Sequence, residues 1–156
     1  VISIQVRLDD QEVMDVLHEL LIRGQDLTPV MRDIAGVLKD ASLRAFGNES
    51  DPATGTPWVP LKEGTTERKI GGGVRGDHPI LQVIGQLRRS VEGSVSYGPD
   101  WAAVGSNLDY AAIHQFGGLP GMPPGPAAVP ARPYLGVGDD DLEEILDLVQ
   151  GYLQGG

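Results

Sequence analysis

The chain has 156 residues, no cysteine, and 22 acidic against 12 basic side chains, for a formal charge of −10. That length suits a single domain, 1–156, able to bury a real core, and the missing cysteines exclude disulfides and thiolate metal sites. The acidity argues against a general nucleic-acid binder, because phosphate binding rests on clustered Lys and Arg.

The first eight residues alternate, with Ile2, Ile4, Val6 and Leu8 on one side and Ser3, Gln5 and Arg7 on the other. Period two predicts a strand with one buried face. Asp9 stands three residues before Glu12, a capping-box spacing with Asp as the cap. Val13, Val16, Leu17, Leu20 and Leu21 then recur at helical spacing, and Gly24 suits a left-handed C-terminal residue. Thr28-Pro29 opens a second helix, with Thr28 as N-cap and Pro29 in the first turn. Its inner stripe is Val30, Ile34, Leu38 and Ala41, and it should end near Phe46-Gly47.

Residues 47–79 hold three prolines between Asn48 and Pro60, a possible short helix from Thr65 to Ile70, and a Gly-rich bend at Gly71–Gly73. A connection this long is uncommon unless it is functional or disordered. Trp58 and nearby Leu61 are too apolar to leave in water, so this loop is expected to pack on its own domain or a neighbouring copy. Ile80 to about Arg89 reads as a short helix. Val91, Val95 and Tyr97, then Trp101, Ala103 and Val104, flank Gly98-Pro99-Asp100 and predict a hairpin. Tyr110 to Phe116 fits one or two helical turns closed by Gly117-Gly118. A loop with five prolines, 117–130, follows, and Asp139–Asp141 cap a last helix with the stripe Leu142, Ile145, Leu146, Val149, Tyr152 and Leu153. The expected class is α+β, an antiparallel sheet with helices packed on one face and long loop arms.

No apolar run approaches the ~18–20 residues of a membrane span, and no secretory signal pattern opens the chain, so a soluble protein is expected. Charge is uneven: six acids and no bases lie between Asp139 and Asp147, against six bases and three acids between Lys62 and Arg89. This fits either head-to-tail contact between copies or a solvated charged face.

Three histidines invite an enzymatic reading. His18 sits among Asp15 and Glu19 on a helix and reads as a surface residue; His78 has no second ligand at metal-binding spacing. His114 lies one helical turn from Tyr110, so the two share a face. A histidine hydrogen-bonded within the fold outweighs catalysis there, since no Gly-x-Ser-x-Gly elbow supplies a nucleophile. Gly71-Gly-Gly-Val-Arg-Gly lacks the Lys-Ser/Thr of a P-loop. No catalytic residue, cofactor site or metal site is expected, and the enzymatic alternative is a small hydrolase or DNA-processing enzyme using His114 with Asp109 or Arg132.

Four segments in order carry a resemblance: Gly55-Thr-Pro-Trp-Val-Pro-Leu with Thr65 or Thr66 and Lys69 downstream; Ile80-Leu81 with Gly85-Gln-Leu-Arg-Arg-Ser-Val; Tyr110-Ala-Ala-Ile-His-Gln-Phe-Gly-Gly; and Pro130-Ala-Arg-Pro-Tyr-Leu-Gly. Together they resemble the phage virion morphogenesis family, the tail-completion or tail-terminator proteins of Mu-like phages. Ile84 stands where the family often has Thr, and Ala53-Thr-Gly55 replaces its Asp-Gly turn.

The resemblance implies a non-enzymatic α+β subunit of the virion, made in the host cytoplasm. It would form a ring with copies of itself, six to match a tail tube, and meet the tail tube protein and a neck or head-completion protein. DNA would pass through without specific binding, and no membrane is involved. A neck or head-closure protein on the portal side is the neighbouring alternative. Ring subunits need a body and arms, and the Trp58 loop and the loop 117–130 are the natural arms. Arg and aromatic residues dominate interface energetics, so the candidate subunit or partner contacts are Trp58, Leu61, Tyr110, His114, Phe116, Arg132 and Tyr134. For Trp58, Phe116 and Tyr134 packing within one subunit is an equal alternative.

Overall fold

A computed structural model of the chain describes residues 10–62, 80–81, 85–121 and 129–155. Five helices and a two-stranded antiparallel sheet lie among them: α1 (Gln11–Ile22), α2 (Thr28–Asn48), α3 (Gln86–Gly93), β1 (Val95–Tyr97), β2 (Ala102–Val104), α4 (Ala111–Phe116) and α5 (Asp139–Gly155). The class is α+β, as the pattern predicts. The strand expected at 1–8, the short helix at 65–70, the bend at 71–73 and His78 lie outside the described residues.

Helix α1 starts one residue later than the capping-box spacing predicts. Asp10, not Asp9, is the N-cap, and its carboxylate accepts from the Val13 amide at 3.0 Å. The helix ends in a Schellman motif on Gly24 (φ 70°), with Gln25 N–H donating to Leu20 O and Gly24 N–H to Leu21 O. Thr28 is the first residue of α2 and not its cap, which is Leu27; the Asp26 carboxylate instead takes the Thr28 amide at 3.0 Å. That bond holds the Asp26 carboxyl below its usual value.

The proposed helix over Ile80–Arg89 is replaced by a turn at Ile80-Leu81 and a helix beginning at Gln86. Leu81 (φ 60°) and Gly85 (φ 68°) both sit in left-handed backbone, which no right-handed helix can pass through. The hairpin forms with Val95 opposite Val104 and Tyr97 opposite Ala102, while Val91 belongs to α3.

Two apolar clusters share α2. Its N-terminal half, through Val30, Met31, Ile34 and Val37, packs with Val13 and Leu20 of α1 and Ile145 and Val149 of α5. Leu21 of α1 stays exposed. Its C-terminal half, through Ala45 and Phe46, packs with Trp58, Ile80, Leu87, Val91, Ala111, Tyr134 and Leu135. Both strands also lie against α2.

Of the three acids opening α5, Asp141 does the capping. It is buried, its Oδ2 accepts from the Gly138 amide at 2.9 Å, and its Oδ1 pairs with Arg44 of α2. Gly138 thus occupies the N-cap position and Asp141 reaches back from the third residue, the returning half of a capping box. The Asp141→Ala variant should lose about 1–2 kcal/mol in urea unfolding, mostly from the cap, because Arg44 is half exposed and the ion pair is screened. A loss that vanishes in high salt would assign it to the ion pair instead.

Candidate functional site

The four segments singled out in the sequence meet at the C-terminal end of α2. Glu49 ends that helix in left-handed backbone (φ 51°), an unusual conformation for a residue with a side chain. Its carbonyl accepts from the Trp58 amide at 2.7 Å and its carboxylate from the Ile80 amide at 2.7 Å. Between them the chain reverses tightly. Asp51 caps the Ala53 amide, Gly55 (φ 73°) donates to Asp51 O, and Ser50 bridges Pro57. Ala53-Thr-Gly55 therefore makes a compact turn without an Asp-Gly pair.

The turn delivers Trp58 edge-on to Phe46, with ring centroids 5.9 Å apart at 84°, and its indole N–H donates to Pro133 O at 2.7 Å. Tyr134 packs on Phe46 at 5.4 Å and its hydroxyl donates to Ala111 O. Burial raises the Tyr134 phenol far above its ordinary pKa, with the Tyr110 phenol adding to the effect. Arg132 is buried, donating from Nε to Val59 O at 2.8 Å and from Nη2 to Pro60 O at 3.2 Å. Burial pulls the guanidinium below its usual value, and Glu49 opposes that shift.

Gln115, which sequence reasoning passed over, holds the junction together. Its buried Oε1 accepts from the amides of Tyr134 and Leu135, each at 3.0 Å, while Nε2 donates to Leu135 O at 3.0 Å. Glu49 was missed for the same reason: neither side chain carries a motif, and only the position of distant backbone shows its role. Gly117 (φ 78°) is sterically required, because a Cβ there would lie 2.9 Å from Ala131 N; one on Gly118 would meet the Ile113 side chain, which can move aside.

The predicted contact residues thus separate. Trp58, Arg132 and Tyr134 are buried inside the subunit, Leu61, Tyr110 and His114 are partly covered, and Phe116 is 68% exposed. His114 meets the Tyr110 ring at 5.8 Å and 81°, as their shared face predicts. Its backbone carbonyl accepts from the Arg132 amide at 2.8 Å, and its buried Nδ1 has no hydrogen-bond partner among the described residues. Among those residues no hydrogen bond joins its ring to Asp109 or Arg132. His18 is exposed, and no described group of three ligating side chains would hold a metal. No helix among the described residues is long and apolar enough to cross a membrane.

These segments are the part of the chain that a family comparison can test, and the family model described as phage virion morphogenesis matches residues 8–154. The chain belongs to the phage virion morphogenesis family. It is 37% identical over 150 residues to the putative capsid assembly protein G of Escherichia phage Mu, covering 96% of this chain and 93% of that one. It is also similar to Mu-like prophage FluMu G protein 1 of Haemophilus influenzae, 32% identical over 146 residues with 91% and 89% covered. FluMu G protein 2 of the same organism is 33% identical over 144 residues, with 92% and 91% covered. No solved structure matches the chain significantly. Membership in a virion morphogenesis family makes the junction part of an assembly protein, with no positive sign of catalysis.

Two outcomes follow from the junction. Gln115→Ala strands two amides and a carbonyl in the interior, at about 1–3 kcal/mol for each unsatisfied group, so urea unfolding should show a loss of about 3 kcal/mol or more. The second concerns pH. Burial, then the Arg132 charge, lowers His114 below the ordinary 6.5, so the unfolded chain binds that proton more readily than the folded one. Stability from the neutral ring is complete above the unfolded value and is lost as pH falls toward the folded one. Between pH 7 and 5 the native chain should therefore lose more stability than His114→Gln; equal losses would mean the ring is not held neutral by the fold.

Proposed function

We propose that this chain is a tail-completion subunit whose copies close into a ring, six in number, at the end of a tail tube and prepare it for joining to the head. The observation that carries the reading is the placement of Phe116. It is highly exposed at the end of a helix whose next residues are locked by the Gly118–Val129 bridge and by Gln115. Val59, whose carbonyl accepts from Arg132 Nε, is a second half-exposed apolar side chain. Large apolar side chains on a rigid frame lose little entropy on docking, which is what a subunit contact needs. The loop 117–130 leaves from the same place and is the arm that reaches a neighbour.

Helix α5 supports the lumen side of the reading. Asp139, Asp140, Glu143, Glu144 and Asp147 are all exposed along it. An acidic lining repels phosphate and lets DNA slide without sticking; a ring whose lumen is lined by Arg and Lys would contradict it. The partners are then a second copy, the tail tube protein, and a neck or head-completion protein. One observation favours the neighbouring reading, a head-closure role on the portal side: the printed name of the phage Mu relative speaks of capsid assembly.

Light scattering over a concentration range, alone and with purified tail tubes, decides between them. A hexamer-sized species, alone or on tubes, is expected. A persistent monomer that ignores tubes but binds portal rings would transfer the role to the head side. The Phe116→Asp variant should unfold in urea like the native chain yet lose self-association or tube binding by about tenfold or more, the scale of one interface anchor. Deleting 119–129 should likewise leave a folded monomer that no longer assembles. If the deletion unfolds the subunit, the loop belongs to the core and not to an arm.

A further inference from the structure

An open groove of about 670 Å³ lies between the C-terminal half of α5 and Gln25, in the turn from α1 to α2. Glu144, Asp147, Leu148, Gly151 and Gly155 line it from one face of α5, as their spacing of three and four residues requires. The half-buried Leu148 and Tyr152 give it apolar surface, and a Cβ on either glycine would meet nothing, so the trough is open there. Both carboxylates are exposed, and neither has an ion pair among the described residues. The groove therefore suits a cationic group on a partly apolar surface.

The same chain carries such a surface. Among the described cations, Arg23, Arg32 and Arg44 pair with Glu19, Asp33 and Asp141 of their own subunit, and Arg132 is buried. Arg88 and Arg89 on α3 are the only two adjacent in sequence among the described residues. Arg89 is exposed, and Arg88 shares its charge with Glu92 at 3.3 Å in an exposed pair of little strength.

These two features belong to opposite ends of α2. Gln25 precedes the helix, and the Tyr152 hydroxyl donates to Asp33 Oδ2 in its second turn at 3.4 Å. Leu87 and Val91 of α3 pack instead with Ala45 and Phe46 near its far end. The 21 residues of α2 span roughly 30 Å at about 1.5 Å per residue, or about three Debye lengths in 0.1 M salt. One subunit thus cannot bring its own arginines to its own groove.

We propose that the groove receives α3 of a second copy, with Arg88 and Arg89 of that copy meeting Glu144 and Asp147. Two different patches at opposite ends of one helix make a heterologous contact, which repeats from copy to copy and closes a ring when the rotation allows. Asp139, Asp140 and Glu143 do not line the groove and stay free to face a lumen. This inference rests on the reading of the chain as a self-associating subunit and names one of its contacts.

The test is light scattering on the full chain over a concentration range, alone and with purified tail tubes. The native chain is compared with a Glu144→Lys, Asp147→Lys variant, an Arg88→Glu, Arg89→Glu variant, and the fourfold variant carrying all of these. Each reversed pair should weaken self-association by about tenfold or more while urea unfolding stays close to native, and the fourfold variant should recover the association. Reversed pairs that associate like the native chain, while Phe116→Asp does not, overturn this contact and leave the ring reading standing. Loss without recovery in the fourfold variant also overturns it. A native chain that never associates, with tubes or without, ends both. Should a reversed variant fail to fold, Gly151→Cys and Arg89→Cys decide, since the chain has no cysteine of its own. A head-to-tail contact links the double variant into a disulfide ladder and leaves each single variant unlinked. A Gly151→Cys chain that links to itself, or a double variant that stays unlinked, refutes the pairing.

Discussion

Phe46 has to be buried by backbone with little regular structure, and much of the molecule answers to that constraint. It is fully buried near the end of α2, and two of its neighbours, Trp58 and Tyr134, come from long irregular segments. Irregular backbone cannot be buried cheaply, because each amide and carbonyl loses water without a ladder to replace it. The side chains around Phe46 supply what a ladder would. Gln115 serves three backbone groups, Arg132 two, Glu49 one, and Trp58 and Tyr134 one each.

This gives the two halves of α2 different characters. At the N-terminal half, α1 and α5 bring helical surfaces whose own hydrogen bonds are satisfied internally, and apolar burial does the rest. At the C-terminal half, stability depends on polar side chains from distant positions, and losing one strands several partners. The Arg44–Asp141 pair joins the two, since Asp141 also caps α5. At the second half, the exposed Phe116 and Val59 sit on a frame that buried hydrogen bonds hold in place.

The polar groups near Phe46 also account for the surroundings of His114. His114 has the burial and the positive neighbour that often mark a catalytic residue. Yet its carbonyl serves Arg132 and its ring packs on Tyr110, so what surrounds it is the machinery of burial. A perturbed histidine is equally the product of packing a loop-built core.

Periodicity and end signals were enough for α1, α2 and α5, for the hairpin at Gly98–Asp100, and for the α+β class, because these depend on neighbours a few residues apart. The one-residue errors at Asp9 and Thr28 came from choosing among adjacent acceptors, Asp10 and Asp26, that only geometry separates. The helix expected over Ile80–Arg89 failed because the positive φ at Leu81 carries no residue-type signal. The family was legible in the spacing of Trp58, Gly85, Tyr110 and Arg132 along the chain. What these residues do was not: whether Trp58, Arg132 and Tyr134 turn inward while Phe116 turns out is decided by which backbone lies across from them. That is a property of contacts between positions as distant in sequence as Phe46 and Tyr134. Local pattern determined the elements and the kinship of this chain; the long-range satisfaction of buried polar groups, which no local pattern encodes, decided which of its notable residues hold the subunit together and which are left exposed.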